Sequence, residues 1–66
     1  MFSDNLKILR CATKIGQKEL ADKLNISVKT VSRWETGYCE PSISQLITLS
    51  DFFGISIDEL VGKEKI

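Results

Sequence analysis

Between Ser27 and Gly37 stand Ser27, Val28, Lys29, Ser32 and Arg33, side chains whose chemistry matches the edge of a base pair. Arg and Lys can bond guanine O6 and N7, Ser can bond several base edges, and Val can touch a thymine methyl. Spacing decides whether they act as a set. At about 100° per helical residue, Val31 and Trp34 point one way while Lys29, Ser32 and Arg33 point the other, with Val28 at the margin. A helix held down by Val31 and Trp34 would thus turn a short polar face to solvent. The solvated side of an ordinary surface helix has the same composition. The meaning of this face therefore depends on the elements that position it.

The stretch QKELADKLNISVKTVSRWETG, Gln17 to Gly37, reads as two short helices joined by a tight turn. Leu20 and Leu24 lie four apart and share one helical face, and Ala21 beside them lets another backbone come close. Asn25 tolerates the left-handed conformation that ends a helix, Ile26 turns back into the core, and Ser27 can cap the next helix. The connection is about three or four residues, the length of a helix-turn-helix.

Around this pair the chain predicts three more helices. Ser3 can cap a first helix running to about Lys14, with Phe2, Leu6, Leu9 and Thr13 as its buried stripe and Arg10 at the stripe's edge. A charge at that edge needs a partner, because an unpaired buried guanidinium is costly. Ile8 points away from the stripe. Ile15 enters the core, and Gly16 caps the second helix at a cost of only a few tenths of a kcal/mol relative to Ser or Thr. Gly37 and Pro41 bracket a loop, and Ser42 caps a fourth helix in which Ile43, Leu46, Ile47, Leu49, Ser50 and Phe53 fall within one broad arc. Phe52 lies outside that arc, free to meet a fifth helix or a partner. Gly54 ends the fourth helix. Ser56 caps a last short one, Ile57 to Val61, with Asp58 and Glu59 in its first turn where the dipole favours them.

Sixty-six residues read as a single domain, 1–66, at the size where only about 60% of the unfolded chain's surface can be buried. Apolar residues at 42% and charged residues at 27% are a globular balance, which excludes a disordered chain. No stretch approaches the roughly 18 apolar residues of a membrane span, and MFSDNLK does not read as a signal peptide, so no membrane and a cytoplasmic location are expected. Cys11 and Cys39, with no His and no C-x-x-C, support neither a metal site nor a redox motif. Two reduced thiols are expected. Without His, paired carboxylates or a Cys beside a base, nothing supports catalysis, and no cofactor is expected. Net charge is zero, yet residues 1–37 carry seven basic and four acidic side chains and residues 38–66 two basic and five acidic. The chain is a charge dipole, positive where the two-helix stretch sits.

Gln17, Leu20-Ala21, Leu24, Ile26-Ser27, Thr30-Val31, Arg33-Trp34-Glu35, Gly37 and Pro41-Ser42 stand in the order and spacing of the Cro/repressor (XRE-type) helix-turn-helix DNA-binding domains, which this sequence resembles. The resemblance continues through Leu46, Phe53 to Ser56 and Asp58 to Leu60, and begins with Leu6, Leu9 and Arg10. It implies a compact, all-α, five-helix lambda-repressor-like domain, and a transcriptional regulator, as a repressor, with its third helix in the major groove of double-stranded DNA. Ser27, Val28, Lys29, Ser32 and Arg33 would then read bases. Gln17, Lys18 and Thr30, with Tyr38 as a hydrogen-bond donor, would hold phosphates. Arg10 and Glu35 would form a structural ion pair. A homodimer, weak when free, on a pseudo-palindromic operator is implied as well, and the C-terminal residues Phe52, Ile57, Val61 and Ile66 are its candidate surface. The loop Tyr38-Cys39-Glu40 departs from the pattern, since it brings no positive charge and Glu40 would repel phosphate. That loop and the zero net charge are the support for an alternative, a helical interaction module acting as an antitoxin or adaptor without base reading.

Overall fold

The computed structural model describes residues 2–62. Five helices follow in order: α1 (Phe2–Ala12), α2 (Gln17–Leu24), α3 (Val28–Thr36), α4 (Ile43–Phe53) and α5 (Ile57–Val61). No strand is found among the described residues. Helix α3 lies between α1 and α2, and α5 packs against both α1 and α4.

Short-range chemistry sets most of the boundaries. Asn25 ends α2 at φ 59°, ψ 44°, and Ile26 N–H bonds back to the Ala21 carbonyl at 3.0 Å, closing the turn on itself. Ser27 Oγ accepts from Thr30 N–H and starts α3. Ser42 and Ser56 each form a reciprocal capping box, with Gln45 and Glu59 reaching back to the serine N–H. The glutamine's part was readable from the Ser-x-x-Gln spacing and adds to the cap that Ser42 alone predicts.

The start and end of α1 differ from expectation. Ser3 lies inside the helix rather than capping it, and the helix ends at Ala12. Thr13 is exposed, its hydroxyl bonding back to the Leu9 and Arg10 carbonyls at 3.0 and 2.9 Å. Lys14 takes the left-handed conformation at φ 61°, and Ile15 N–H reaches the Arg10 carbonyl at 3.3 Å. This six-to-one closure is the same one that ends α2, here built without a glycine or asparagine to announce it.

The core comprises Leu6, Leu20, Ala21, Val31, Trp34, Leu49 and Leu60, with Phe2, Leu9, Ile15, Leu24, Ile26, Leu46, Phe53 and Ile55 packed around them. Every helix contributes at least one fully buried side chain, so no helix is an appendage. The expected arc on α4 is narrower than its composition suggests. Leu49 is buried and Leu46, Ser50 and Phe53 are half-buried, but Ile43 is 77% and Ile47 48% exposed. Those two lie on the arc's edge, where no other helix comes over them. Phe52, also exposed, sets its ring edge against Phe53 at 5.0 Å between centroids. Ile8 is exposed. Asn5 Nδ2 donates to the Glu59 and Leu60 carbonyls, tying α1 to the end of α5. This tie has no sequence signature.

Candidate nucleic-acid interface

Helix α3 is fixed from below by Val31, Trp34 and Glu35, all buried, and shows solvent its opposite side. On that side Val28, Lys29 and Arg33 are exposed and Ser32 is half-buried. Ser27 is exposed at the helix start, but its Oγ accepts from the Thr30 N–H at 3.2 Å and is hydrogen-bonded to Thr30 Oγ1 at 2.9 Å. Thr30 is thus held by the cap, half-buried. Val28, Lys29, Ser32 and Arg33 are brought to one face, as their spacing predicts.

Two residues of the expected set have partners that the sequence does not name. Gln17, the first residue of α2, directs its amide nitrogen to Glu35 Oε1 at 2.9 Å. A primary amide has two N–H donors, so one remains for a phosphate and the other fixes the side chain. Arg33 places its guanidinium carbon 5.4 Å from the centre of the Tyr38 ring. Lys18 is exposed and pairs loosely with Asp22, 3.7 Å away and one turn on. In the loop that follows α3, Tyr38, Cys39 and Glu40 are exposed, and the loop adds no positive charge.

Beneath this surface lies the pair expected at Arg10 and Glu35. Arg10 Nε donates to Glu35 Oε2 at 2.6 Å and Nη2 to Oε1 at 3.2 Å, a two-pronged contact. Nη1 donates to the Ile15 carbonyl at 3.0 Å. Glu35 is only 2% exposed at its side chain and Arg10 16%. Burial alone would raise the Glu35 carboxyl, but hydrogen bonds from Arg10 and Gln17 and the charges of Arg10 and Lys7 outweigh it and hold the group below its ordinary value. The hydrogen bond to Glu35 likewise keeps Arg10 above its own ordinary value, against burial. One carboxylate thereby joins α1, the start of α2 and the end of α3. The relative placement of the candidate base-reading and phosphate-holding helices is set there.

The defining pattern of the helix-turn-helix family matches residues 6–60, from the middle of α1 through α5. This chain belongs to the helix-turn-helix family. Among similar proteins, the HTH-type transcriptional activator BcrR of Enterococcus faecalis is 35% identical over 65 residues, 98% of this chain and 32% of the relative. The cryptic phage CTXphi transcriptional repressor RstR of Vibrio cholerae is 36% identical over 62 residues, 94% of this chain and 55% of the relative. A crystal structure of a transcriptional regulator from Listeria innocua superposes with a TM-score of 0.89 at 37% identity, covering 94% of this chain and 58% of that one. The helix-turn-helix chain therefore spans about a third to somewhat over half the length of these relatives. Its motif is α2 and α3, with Asn25 to Ser27 as the turn.

Cys11 and Cys39 are free and exposed. Among the described residues, no group of three or more His, Cys, Asp or Glu is placed to hold a metal ion, and no helix is long and apolar enough to cross a membrane.

Proposed function

We propose that this chain binds double-stranded DNA sequence-specifically and regulates transcription in the cytoplasm, with α3 in the major groove. The observation that carries the reading is the exposed face of Val28, Lys29, Ser32 and Arg33 on a helix whose other side is anchored by Val31, Trp34 and Glu35. Base reading needs such a rigid mount, because a side chain must meet a bidentate acceptor pair in one geometry. Gln17, Thr30, Lys18 and Tyr38 are the phosphate-side residues of this reading. Repression is the sign of regulation in this reading, and the similar phage protein RstR, a transcriptional repressor, is its support.

Arg33→Ala should cost about 1–3 kcal/mol on the preferred duplex and relax preference at one base pair, since a guanine contact is lost without touching the core. Gln17→Ala should weaken all sequences alike. Selection of bound duplexes from a random pool, followed by titration of selected and scrambled DNA, measures both. Equal losses for Arg33→Ala on the two duplexes would remove Arg33 from base reading. The adaptor or antitoxin alternative rests on the acidic loop at Glu40 and the zero net charge. A steep fall of affinity with salt favours direct DNA binding, and a flat response favours the adaptor.

The operator of this reading is pseudo-palindromic and is bound by a homodimer, weak when free. Recognition helices must sit about 34 Å apart to reach successive major-groove faces, and in this reading a contact within the domain holds them there. The C-terminal half is the surface proposed, from Phe52, exposed on α4, with the half-buried Ile57 and Val61 of α5. Ile66, part of the same expectation, lies outside the described residues. Phe52→Lys should abolish cooperative binding to a full site and leave half-site binding nearly unchanged in a gel-shift titration. Unaltered cooperativity would move the contact elsewhere, to the exposed loop at Tyr38-Cys39-Glu40.

A further inference from the structure

Helix α3 ends in a way that folds the chain back over its own last turn. Gly37 takes φ 80°, ψ 8°, its N–H bonding to the Trp34 carbonyl at 3.3 Å, and Tyr38 N–H then reaches the Arg33 carbonyl at 2.9 Å. In this closure the residue after the left-handed glycine is returned to the one five places earlier, and their side chains meet. The pair that meets here is Tyr38 and Arg33, with the guanidinium carbon 5.4 Å from the ring centroid, inside the range of a cation–π contact. Tyr38 is 76% exposed and Arg33 is exposed as well, so the contact sits on the surface of the proposed DNA-facing helix. It is not part of the core. Among the described residues the Arg33 guanidinium donates no hydrogen bond, and the contact with the ring leaves its donors for another partner.

We propose that Tyr38 is a specificity-determining residue that acts through Arg33, its ring holding the guanidinium in place for a guanine edge. This rests on the reading of α3 as the base-reading helix. The physical reason is conformational. A free arginine side chain at a helix end samples many rotamers, and a bidentate contact accepts few of them, so ordering the side chain beforehand lowers what binding must overcome. The benefit falls on the correct base pair, where both donors are satisfied, and is lost at a mismatched one. Tyr38 thereby turns a loop with no positive charge into part of the sequence-reading apparatus. The role needs the ring and not the hydroxyl.

The experiment uses the duplex selected by the whole chain and the same duplex altered at the base pair where Arg33→Ala loses its preference. Tyr38→Leu, which keeps apolar bulk but removes the ring, should reduce discrimination between the two duplexes about two- to fivefold, the size of one exposed cation–π contact. Tyr38→Phe should retain the discrimination. Any loss from the missing hydroxyl should be equal on both duplexes, as for a phosphate contact. In an Arg33→Ala background Tyr38→Leu should have no further effect on discrimination, and thermal unfolding of each variant should stay close to that of the parent. Unchanged discrimination in Tyr38→Leu, or a further loss in the Arg33→Ala background, overturns the inference while Arg33 keeps its role. An Arg33→Ala protein with unaltered base preference overturns both together.

Discussion

Glu35→Ala is expected to leave the protein largely unfolded on mild heating, with its melting temperature lowered by about 15 °C or more. The carboxylate is 2% exposed and receives Arg10 through two nitrogens and Gln17 through a third. Removing it strands a guanidinium that is only 16% exposed, and breaking one partner of such a pair costs about 3–5 kcal/mol. A chain this short has on the order of 3–10 kcal/mol in total. Arg10→Met should be comparably harmful, because it leaves the carboxylate buried with only an amide beside it. Replacing both together, Arg10→Met with Glu35→Leu, should be far milder, since two desolvated charges go with the contact. Thermal melts of the four proteins give the coupling, and additive effects would mean that the pair is energetically silent. The pair also gives a pH dependence of definite sign. The folded protein holds Glu35 below its ordinary value, so its contribution is fully present above the unfolded glutamate value of about 4.3 and is lost as pH falls through the lower folded value. Acid unfolding should therefore shift to milder acid in a Gln17→Ala protein, in which one of the bonds that lower the carboxyl's pKa is gone.

Trp34→Ala should destabilise the fold by a similar amount, about 3–5 kcal/mol. Its ring is 2% exposed and meets Phe2 edge-on, at 6.3 Å and 77°. Small surface clefts open beside it, about 40 Å³ toward Leu24, Ile26 and Thr48 and about 70 Å³ toward Phe2, Ser3 and Cys39. The indole belongs to the same buried cluster as Val31 and Leu49, and a core packed at native density closes only in part over the space that its removal leaves. Since α3 carries the proposed reading face on its other side, binding should fall on every DNA sequence in proportion to the folded fraction. Sucrose or trimethylamine oxide should restore both the fold and the binding together. Circular dichroism melts with parallel titrations test this. Lost binding in a variant that melts like the parent would show that Trp34 acts on DNA directly and that the packing account is wrong.

What the sequence by itself determined is local in origin. Asn25 and Gly37 in left-handed conformations, Ser27, Ser42 and Ser56 as caps, and the four helices α2 to α5 that they bound follow from contacts within about one helical turn, which residue type and spacing encode directly. The same holds for the face of Val28, Lys29, Ser32 and Arg33, because helical periodicity places it opposite Val31 and Trp34. The Arg10–Glu35 pair was legible only through the family's pattern, as the two are 25 positions apart. Tertiary structure alone decided the rest. It sent one Gln17 donor to a carboxylate 18 positions away and Asn5 to a carbonyl 55 positions away. It left Ile43 and Ile47 uncovered on a helix whose composition would bury them. Periodicity fixes the direction in which a side chain leaves its helix, but burial and partnership depend on which other element lies along that direction, and that is set by the packing of the whole chain.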